Sequence, residues 1–395
     1  MLKLYEGTYD AQKKLNQFEV LDTIRKTDVM SCPEIAEKLK LSNPTVINIV
    51  KEFVDRKVLL YAGEAQSRGG RRAQLVKLNE SAGYVIGVDF EIPHITAVLT
   101  DLKMNVIKKS KAILPKNADD TVNYLVKCTK ELLNNVKINK ENIMGIGISL
   151  PGLIDRQRGI SIIIDRPIKW RNVDVKGIFE REFHFPVVIL NDANAMALGE
   201  KMLGSHSKGL KDMIYVALRS GFGSAVFLDG TLYQGQRGLA GNIGHVTVNN
   251  TGPECSCGNH GCIEVYCNER ILEKKVKDAV SKKNIKDNED VFEAARKGNL
   301  HALEIVRETG EYMGIGIATL VDLFDIRDVV VGGTEVSVRG GQMFLDIIRE
   351  KAKKCLFFSS EDSSIDIRLG DIEEDAGALG AAIMVIEESF RKPEV

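Results

Sequence analysis

Between Gly244 and Glu264 the chain carries His245, nine further residues, and then Cys255-Ser-Cys257-Gly-Asn-His-Gly-Cys262. Three thiols and one imidazole are the number and kind of donors that a tetrahedral zinc site uses. Gly258 and Gly261 give the backbone the freedom to wrap three thiolates around one ion. A disulfide is the competing account. Cys255 and Cys257 are too close in sequence to bridge easily, and three cysteines cannot all pair. The expected ligands are therefore His245, Cys255, Cys257 and Cys262. His260 is a rival ligand inside the loop, although the run from Gly258 to Gly261 reads as a tight turn that leaves it in solvent. Four protein ligands leave no open position for water, so the Zn2+ is expected to be structural. A metal-bound imidazole usually offers its second nitrogen to an oriented partner, which makes His245 a candidate to face both metal and ligand.

The chain has 395 residues, enough for two or three domains with their own cores. Its net charge of -1 provides no global field for nucleic acid or membrane. The distribution is uneven: residues 1–80 hold 14 Lys and Arg against 11 Asp and Glu. There is no apolar signal core near the start and no run of 18 apolar residues, so a cytoplasmic protein without membrane contact is expected. Reduced thiols in that compartment are free to bind metal.

The first 80 residues read as a winged helix-turn-helix. Leu15, Phe18, Leu21 and Ile24 recur at helical spacing over 12–27. Ser31 with Glu34 three residues on, and Pro33 between, has the spacing of a capping box. Ser42 caps a third helix, 43–56, with Val46, Ile49, Val50, Phe53 and Val54 facing inward. Its outward positions, Asn43, Thr45, Asn48 and Lys51, suit a helix in a major groove, or equally the solvated face of a small helical domain. Strands at 58–61 and 74–78 flank Ser67-Arg68-Gly69-Gly70-Arg71-Arg72. Arg68, Arg71 and Arg72 around two glycines suit a wing tip pressed to phosphates or a narrow minor groove. The expected partner is double-stranded operator DNA.

From Tyr84 the pattern becomes α/β. Strands are expected at 85–90, 95–100, 106–110, 143–150, 187–190, 213–218, 224–228 and 329–333. Helices are expected at 121–136, 193–202, 271–280, 291–297, 300–323 and 376–390. Two strand sets on either side of Asp192, each followed by helices, imply two lobes facing a cleft. The expected domains are 1–80 for DNA binding, 81–200 for a first lobe to which helix 376–390 returns, and 201–375 for a second lobe holding the cysteine motif.

These residues resemble the ROK family of repressors and sugar kinases across 12–390. The resemblance rests on the Gly-His and C-x-C-G-x-x-G-C-x-E pattern, on Asn191-Asp192-Ala193-Asn194-Ala195 and on Pro151-Gly152-Leu153-Ile154-Asp155. It implies an actin-like, ribonuclease H-like sugar kinase fold behind the winged helix. The winged segment and Trp170-Arg171-Asn172-Val173-Asp174 look like the xylose-repressor branch, in which a sugar between the lobes alters how a dimer holds DNA. A homodimer, or a dimer of dimers, is implied with it.

A kinase of this fold needs glycine loops, because backbone N–H groups must approach phosphate without a Cβ in the way. Where the family's kinases carry Asp-x-Gly-Gly-Thr, this chain has Asp89-Phe90-Glu91-Ile92-Pro93. Where they carry Gly-Thr-Gly-x-Gly, it has Arg219-Ser220-Gly221-Phe222-Gly223. The Gly332-Gly333-Thr334 turn, where they hold adenosine, persists. The expectation is a sugar-responsive transcriptional regulator with no enzymatic activity. The alternative is an ATP-dependent sugar kinase with a vestigial DNA-binding domain. Asp192 stands at the family's catalytic-base position, and without ATP it can still accept a sugar hydroxyl. It can equally serve as the N-cap of the helix that follows. Asn191, His245 and Glu264 match the family's sugar contacts, while Asn242 replaces its usual glutamate. Arg166 and Lys169 lie in the loop before Trp170. They either face water or mark an anionic sugar derivative as the effector.

Overall fold

The computed structural model describes residues 11–65, 73–115, 120–164, 170–219, 221–286, 290–332, 335–357, 365–372 and 375–390. The chain opens with α1 (Ala11–Thr27), β1 (Val29–Ser31), α2 (Cys32–Leu39), α3 (Asn43–Asp55), β2 (Leu59–Glu64) and β3 (Gln74–Leu78). Local chemistry sets the helix starts. Ser31 accepts the Glu34 N–H, and the Glu34 carboxylate accepts the Ser31 N–H at 2.8 Å, which completes the reciprocal cap. Lys40, in the left-handed region at φ 54°, stops α2. Ser42 Oγ accepts the Thr45 N–H at 3.3 Å to start α3. Strand order is β1-β3-β2. The three residues of β1 are too short to carry a period, so only pairing with β3 reveals that strand.

The first lobe's sheet has the order β11-β7-β4-β5-β6. Its strands are β4 (Tyr84–Glu91), β5 (His94–Asp101), β6 (Val106–Ile113), β7 (Ile143–Leu150) and, later in the chain, β11 (Val187–Asn191). Helix α4 spans Thr121–Leu133, shorter than the expected 121–136, because Asn134 turns to extended backbone and Asn135 adopts φ 57°. A small antiparallel sheet of β8 (Leu153–Asp155), β9 (Ile160–Ile164) and β10 (Trp170–Val173) precedes α5 (Val175–Phe183). Helix α6 (Asp192–Leu203) follows β11.

The second five-stranded sheet has the order β14-β13-β12-β15-β16. Its strands are β12 (Met213–Leu218), β13 (Phe222–Leu228), β14 (Thr231–Tyr233), β15 (Asp328–Gly332) and β16 (Asp366–Leu369). Between β14 and β15 lie α7 (Glu269–Ser281), α8 (Val291–Arg296) and α9 (Leu300–Phe324). Helix α10 (Glu335–Cys355) was not expected from the sequence: Gly340 and Gly341 interrupt its pattern, and Gly341 at φ 54° kinks it. Among the described residues no helix is long and apolar enough to cross a membrane.

The last helix, α11 (Ala376–Ser389), is almost entirely Ala, Gly and aliphatic residues and is buried from Ala376 to Ile386. It packs against β4, β7 and α6. Small residues make this approach possible: a Cβ on Gly87 would overlap the Ala378 carbonyl, and one on Gly147 would overlap that of Ala381. Its outer end joins the N-terminal helices, since Ala382, Val385, Ile386 and Phe390 share one apolar core with Val20, Leu21, Ile24, Val46, Ile49 and Phe53. The segment after β3 is tied down as well. Asn79 donates to the Lys57 carbonyl at 2.7 Å, and Leu102 N–H donates to that of Glu80 at 3.2 Å. Backbone cannot yield at Gly147 without moving α11. Gly147→Ala is therefore expected to cost about 1–3 kcal/mol or more in a urea melt, the range for overpacking.

Candidate functional site

On α3, Asn43, Asn48 and Lys51 are exposed and Thr45 is half-buried. The Thr45 hydroxyl is 2.7 Å from Ser42 Oγ, so it takes part in the cap. Ile47 sits among these residues and is 46% exposed, an apolar side chain held in water on an otherwise polar face. A reading restricted to polar outward positions passes over it. Glu52 braces α3 against α1, accepting from Gln17 at 2.8 Å and pairing with Lys13 at 3.5 Å. Ala65 N–H donates to the Ala73 carbonyl at 2.8 Å and closes the base of the wing. Arg68, Arg71 and Arg72 lie outside the described residues.

His245, Cys255, Cys257 and Cys262 come together, with their ligand atoms all within 4.8 Å of one another. Cys255 Sγ is 3.6 Å from His245 Nδ1, and Cys257 Sγ is 3.7 Å from Cys262 Sγ. A tetrahedral metal with bonds to sulfur of about 2.3 Å has edges of about 3.8 Å, so the donor set fits a metal ion. A disulfide would need the sulfurs at about 2.05 Å. His260 is exposed, with its Nδ1 3.3 Å from the Gly252 carbonyl, and is not among the clustered ligands. Nδ1 of His245 faces the thiols, which leaves Nε2 as the outward nitrogen.

The remaining groups gather around the turn between β12 and β13. Asn191 ends β11 and caps α6: its Oδ1 accepts the Ala193 N–H at 3.1 Å and its Nδ2 reaches the Gly152 carbonyl at 3.3 Å. The N-cap is thus Asn191, which corrects the placement of the cap at Asp192. Asp192 is the first helical residue, and its Oδ1 also accepts from Ala193 N–H, at 2.9 Å. A Cβ on Gly223 would lie 2.9 Å from Ala193, and one on Gly221 would lie 2.9 Å from Glu264 Oε2. A Cβ on Gly244, next to His245, would overlap the Phe222 carbonyl. Ala193, Glu264 and the stretch that carries His245 therefore all lie close to residues 221–223. Asn242 is exposed and donates to the Leu239 carbonyl at 2.8 Å. Arg166 and Lys169 lie outside the described residues, as do Ser220, Gly333 and Thr334. Trp170 is core, with Nε1 donating to Ser161 Oγ at 2.8 Å.

Arg219 is the group that sequence reasoning missed. Its side chain is 4% exposed, and Nη1 lies 3.0 Å from Asp89 Oδ2 while Nε lies 3.3 Å from Glu91 Oε1. Asp89 also accepts the Ser149 hydroxyl. Burial alone would lower the guanidinium pKa, but Asp89, Glu91 and Asp192 outweigh it and raise it. The sequence held a signal: an arginine replaces a loop glycine at one strand end, and a glutamate replaces another glycine at the end of β4. Burial pushes the Asp192 carboxyl up to about 6, with Arg219 opposing and Asp89 reinforcing the rise.

The ROK family profile matches residues 85–388 and a winged helix-turn-helix DNA-binding profile matches 14–59. The chain belongs to the ROK family. It is 31% identical to the "Xylose repressor" of Caldicellulosiruptor bescii over 98% of this chain and 99% of that one. It is 30% identical to the "Xylose repressor" of Bacillus subtilis, covering 95% and 96%. A solved ROK family transcriptional regulator, described as a homologue of the E. coli MLC protein, superposes with a TM-score of 0.81 over 96% of this chain and 97% of that one, at 22% identity. A ROK glucokinase from Streptomyces griseus, solved with glucose and AMPPNP, gives 0.67 at 28% identity, covering 76% of this chain and 99% of that one.

An acid whose pKa is raised on folding contributes stability at low pH that is lost as pH rises through the folded value. Asp192→Asn is accordingly expected to be more stable than wild type at pH 7.5, by roughly 1–2 kcal/mol. The advantage should fade as pH falls from about 6 to about 4, and urea melts at both ends of that range measure it.

Proposed function

We propose that this chain is a sugar-responsive repressor of transcription that acts without phosphoryl transfer. The observation that carries this reading is Arg219, buried between Asp89 and Glu91 where a kinase of this fold needs open glycine loops. The names of the relatives that span the whole chain support it, as does the extent of the kinase match, which covers only about three quarters of this chain. The proposed division is 1–80 for DNA binding, 81–200 with 376–390 as one lobe, and 201–375 as the other.

A homodimer, or a dimer of dimers, places two copies of α3 in successive major grooves of double-stranded operator DNA, in the cytoplasm. Asn43, Thr45, Asn48 and Lys51 read base edges or phosphates, and Ile47 offers an apolar contact of the kind that suits a thymine methyl. Arg68, Arg71 and Arg72 grip the backbone or minor groove. A small sugar, xylose or a derivative, enters between the lobes. Asp192 and Glu264 accept its hydroxyls, Asn191 and Asn242 both donate and accept, and Nε2 of His245 faces it. Arg166 adds a positive charge for an anionic derivative. Zn2+ on His245, Cys255, Cys257 and Cys262 would staple the loop that carries His245 and Glu264.

Selection of bound sequences from a random duplex pool, followed by titration of the selected operator with and without D-xylose, tests the reading. Failure to enrich any sequence would overturn it. On that operator, Arg71→Ala with Arg72→Ala is expected to reduce the slope of log K against log salt by about 1.8, which is about 0.9 per lost phosphate contact. Protein purified without chelators is expected to carry one zinc per chain. Cys257→Ser is expected to lose both the metal and the sugar response. Metal-free wild type that still responds to sugar would remove zinc from the account.

A further inference from the structure

Three parts of the chain meet on the last turn of α11. Glu387 receives Arg25 of α1, with Nη1 to Oε1 at 3.0 Å. The Arg25 side chain is 10% exposed, is held at 2.9 Å by Asp22, and lies 5.2 Å from the centre of the Phe390 ring. The next residue, Glu388, receives Arg156 at 2.6 Å. Arg156 follows β8, and its other nitrogen donates to Gln234 Oε1, just beyond β14 in the second sheet. Glu387 thus holds the DNA-binding domain, while Glu388 holds, through one guanidinium, parts of both lobes. These side chains border a cavity of about 1110 Å³ whose lining includes Arg25, Arg156, Gln234 and Glu388.

The opposite end of α11 reaches the cleft. Gly377 packs directly on the Asp89 carboxylate, which holds Arg219. A helix of 14 residues is about 21 Å long, so one rigid element runs from the ion network to the recognition domain. Its joints differ in stiffness. Toward α1 and α3 it shares a continuous apolar core. At Arg156 it meets the second sheet through a polar contact on Gln234, beside the open cavity. Movement of the lobes can break that contact without disturbing the core.

We propose that Arg156 is a positioning residue that couples the cleft to the DNA-binding domain. Its bond to Gln234 registers the arrangement of the lobes, and its pairing with Glu388, beside the Glu387–Arg25 pair, sets the posture of α1. The inference rests on the proposed regulator function and names the route of its coupling. Neither residue lies among the proposed sugar or DNA contacts.

The test uses full-length protein, the selected operator and D-xylose. Operator affinity is measured with and without saturating xylose, and xylose affinity with and without operator. Arg156→Met keeps the aliphatic stem, and Gln234→Ala removes only the partner in the second sheet. Both are expected to leave xylose affinity without operator, and operator affinity without xylose, within about twofold of wild type. The factor by which each ligand changes the other's affinity, typically about 5–150-fold in allosteric proteins, should fall toward one. A merely structural role would lower the separate affinities or the melting temperature and leave that factor intact. Retention of the wild-type factor in either variant overturns the proposal, as does loss of the separate affinities. A factor of one in the wild type itself overturns the regulator reading and this inference with it, so the wild-type and variant arms separate the two failures.

Discussion

The guanidinium of Arg219 lies between Asp89 and Glu91, where the first strand of one sheet ends opposite the first strand of the other. Arg219 and Asp89 are buried while Glu91 keeps partial contact with water, and taking the two buried charges out of water costs several kcal/mol for each ion unless they pair. The network therefore accepts little change: loss of one partner strands the others. Its position gives it a wider consequence. Asp89 also receives Ser149 at the end of β7 and contacts Gly377 at the start of α11. One cation thus ties the end of β4 to the end of β12, at the point where β7 and α11 also meet Asp89. On the proposed reading, the ion network occupies the place where kinases of this fold hold nucleotide phosphates.

The burial of α11 follows from the same geometry. A helix that must touch β4, β7 and α6 at once cannot carry large side chains where backbones cross. Ala376, Gly377, Ala378, Gly380, Ala381 and Ala382 meet that demand. Gly380 lies so near the Ala195 carbonyl that no Cβ fits between them, which locks α11 to α6.

Elements governed by neighbours in sequence were legible in the sequence, and elements governed by distant partners were not. The Ser31–Glu34 box and the Ser42 cap are local chemistry, and the structure has them where they were expected; it also brings His245 together with the three spaced cysteines. The apolar run of β7 and the helical stretch of α9 were also readable. Strand β1 was hidden because three residues have no period, and α10 because Gly340 and Gly341 break its pattern. The Arg219 network pairs residues 130 positions apart, and Arg25 with Glu387 spans 362. No single-sequence pattern reports such partners, and a glycine replaced by arginine reads first as a damaged loop rather than as a new bond.

The energy that regulation requires bears on where its parts can lie. Coupling between two sites is typically about 1–3 kcal/mol. One hydrogen bond to a charged group contributes about 1.5–3 kcal/mol. A switch of that size needs no repacking of an apolar core, where even small volume changes cost about as much. On the proposed reading, the core joining α11 to α1 and α3 stays intact during regulation, and α3 follows α11. The variable part then has to be polar, partly hydrated and placed where two bodies face each other across space. The Arg156 contacts at the edge of the cavity meet those three conditions.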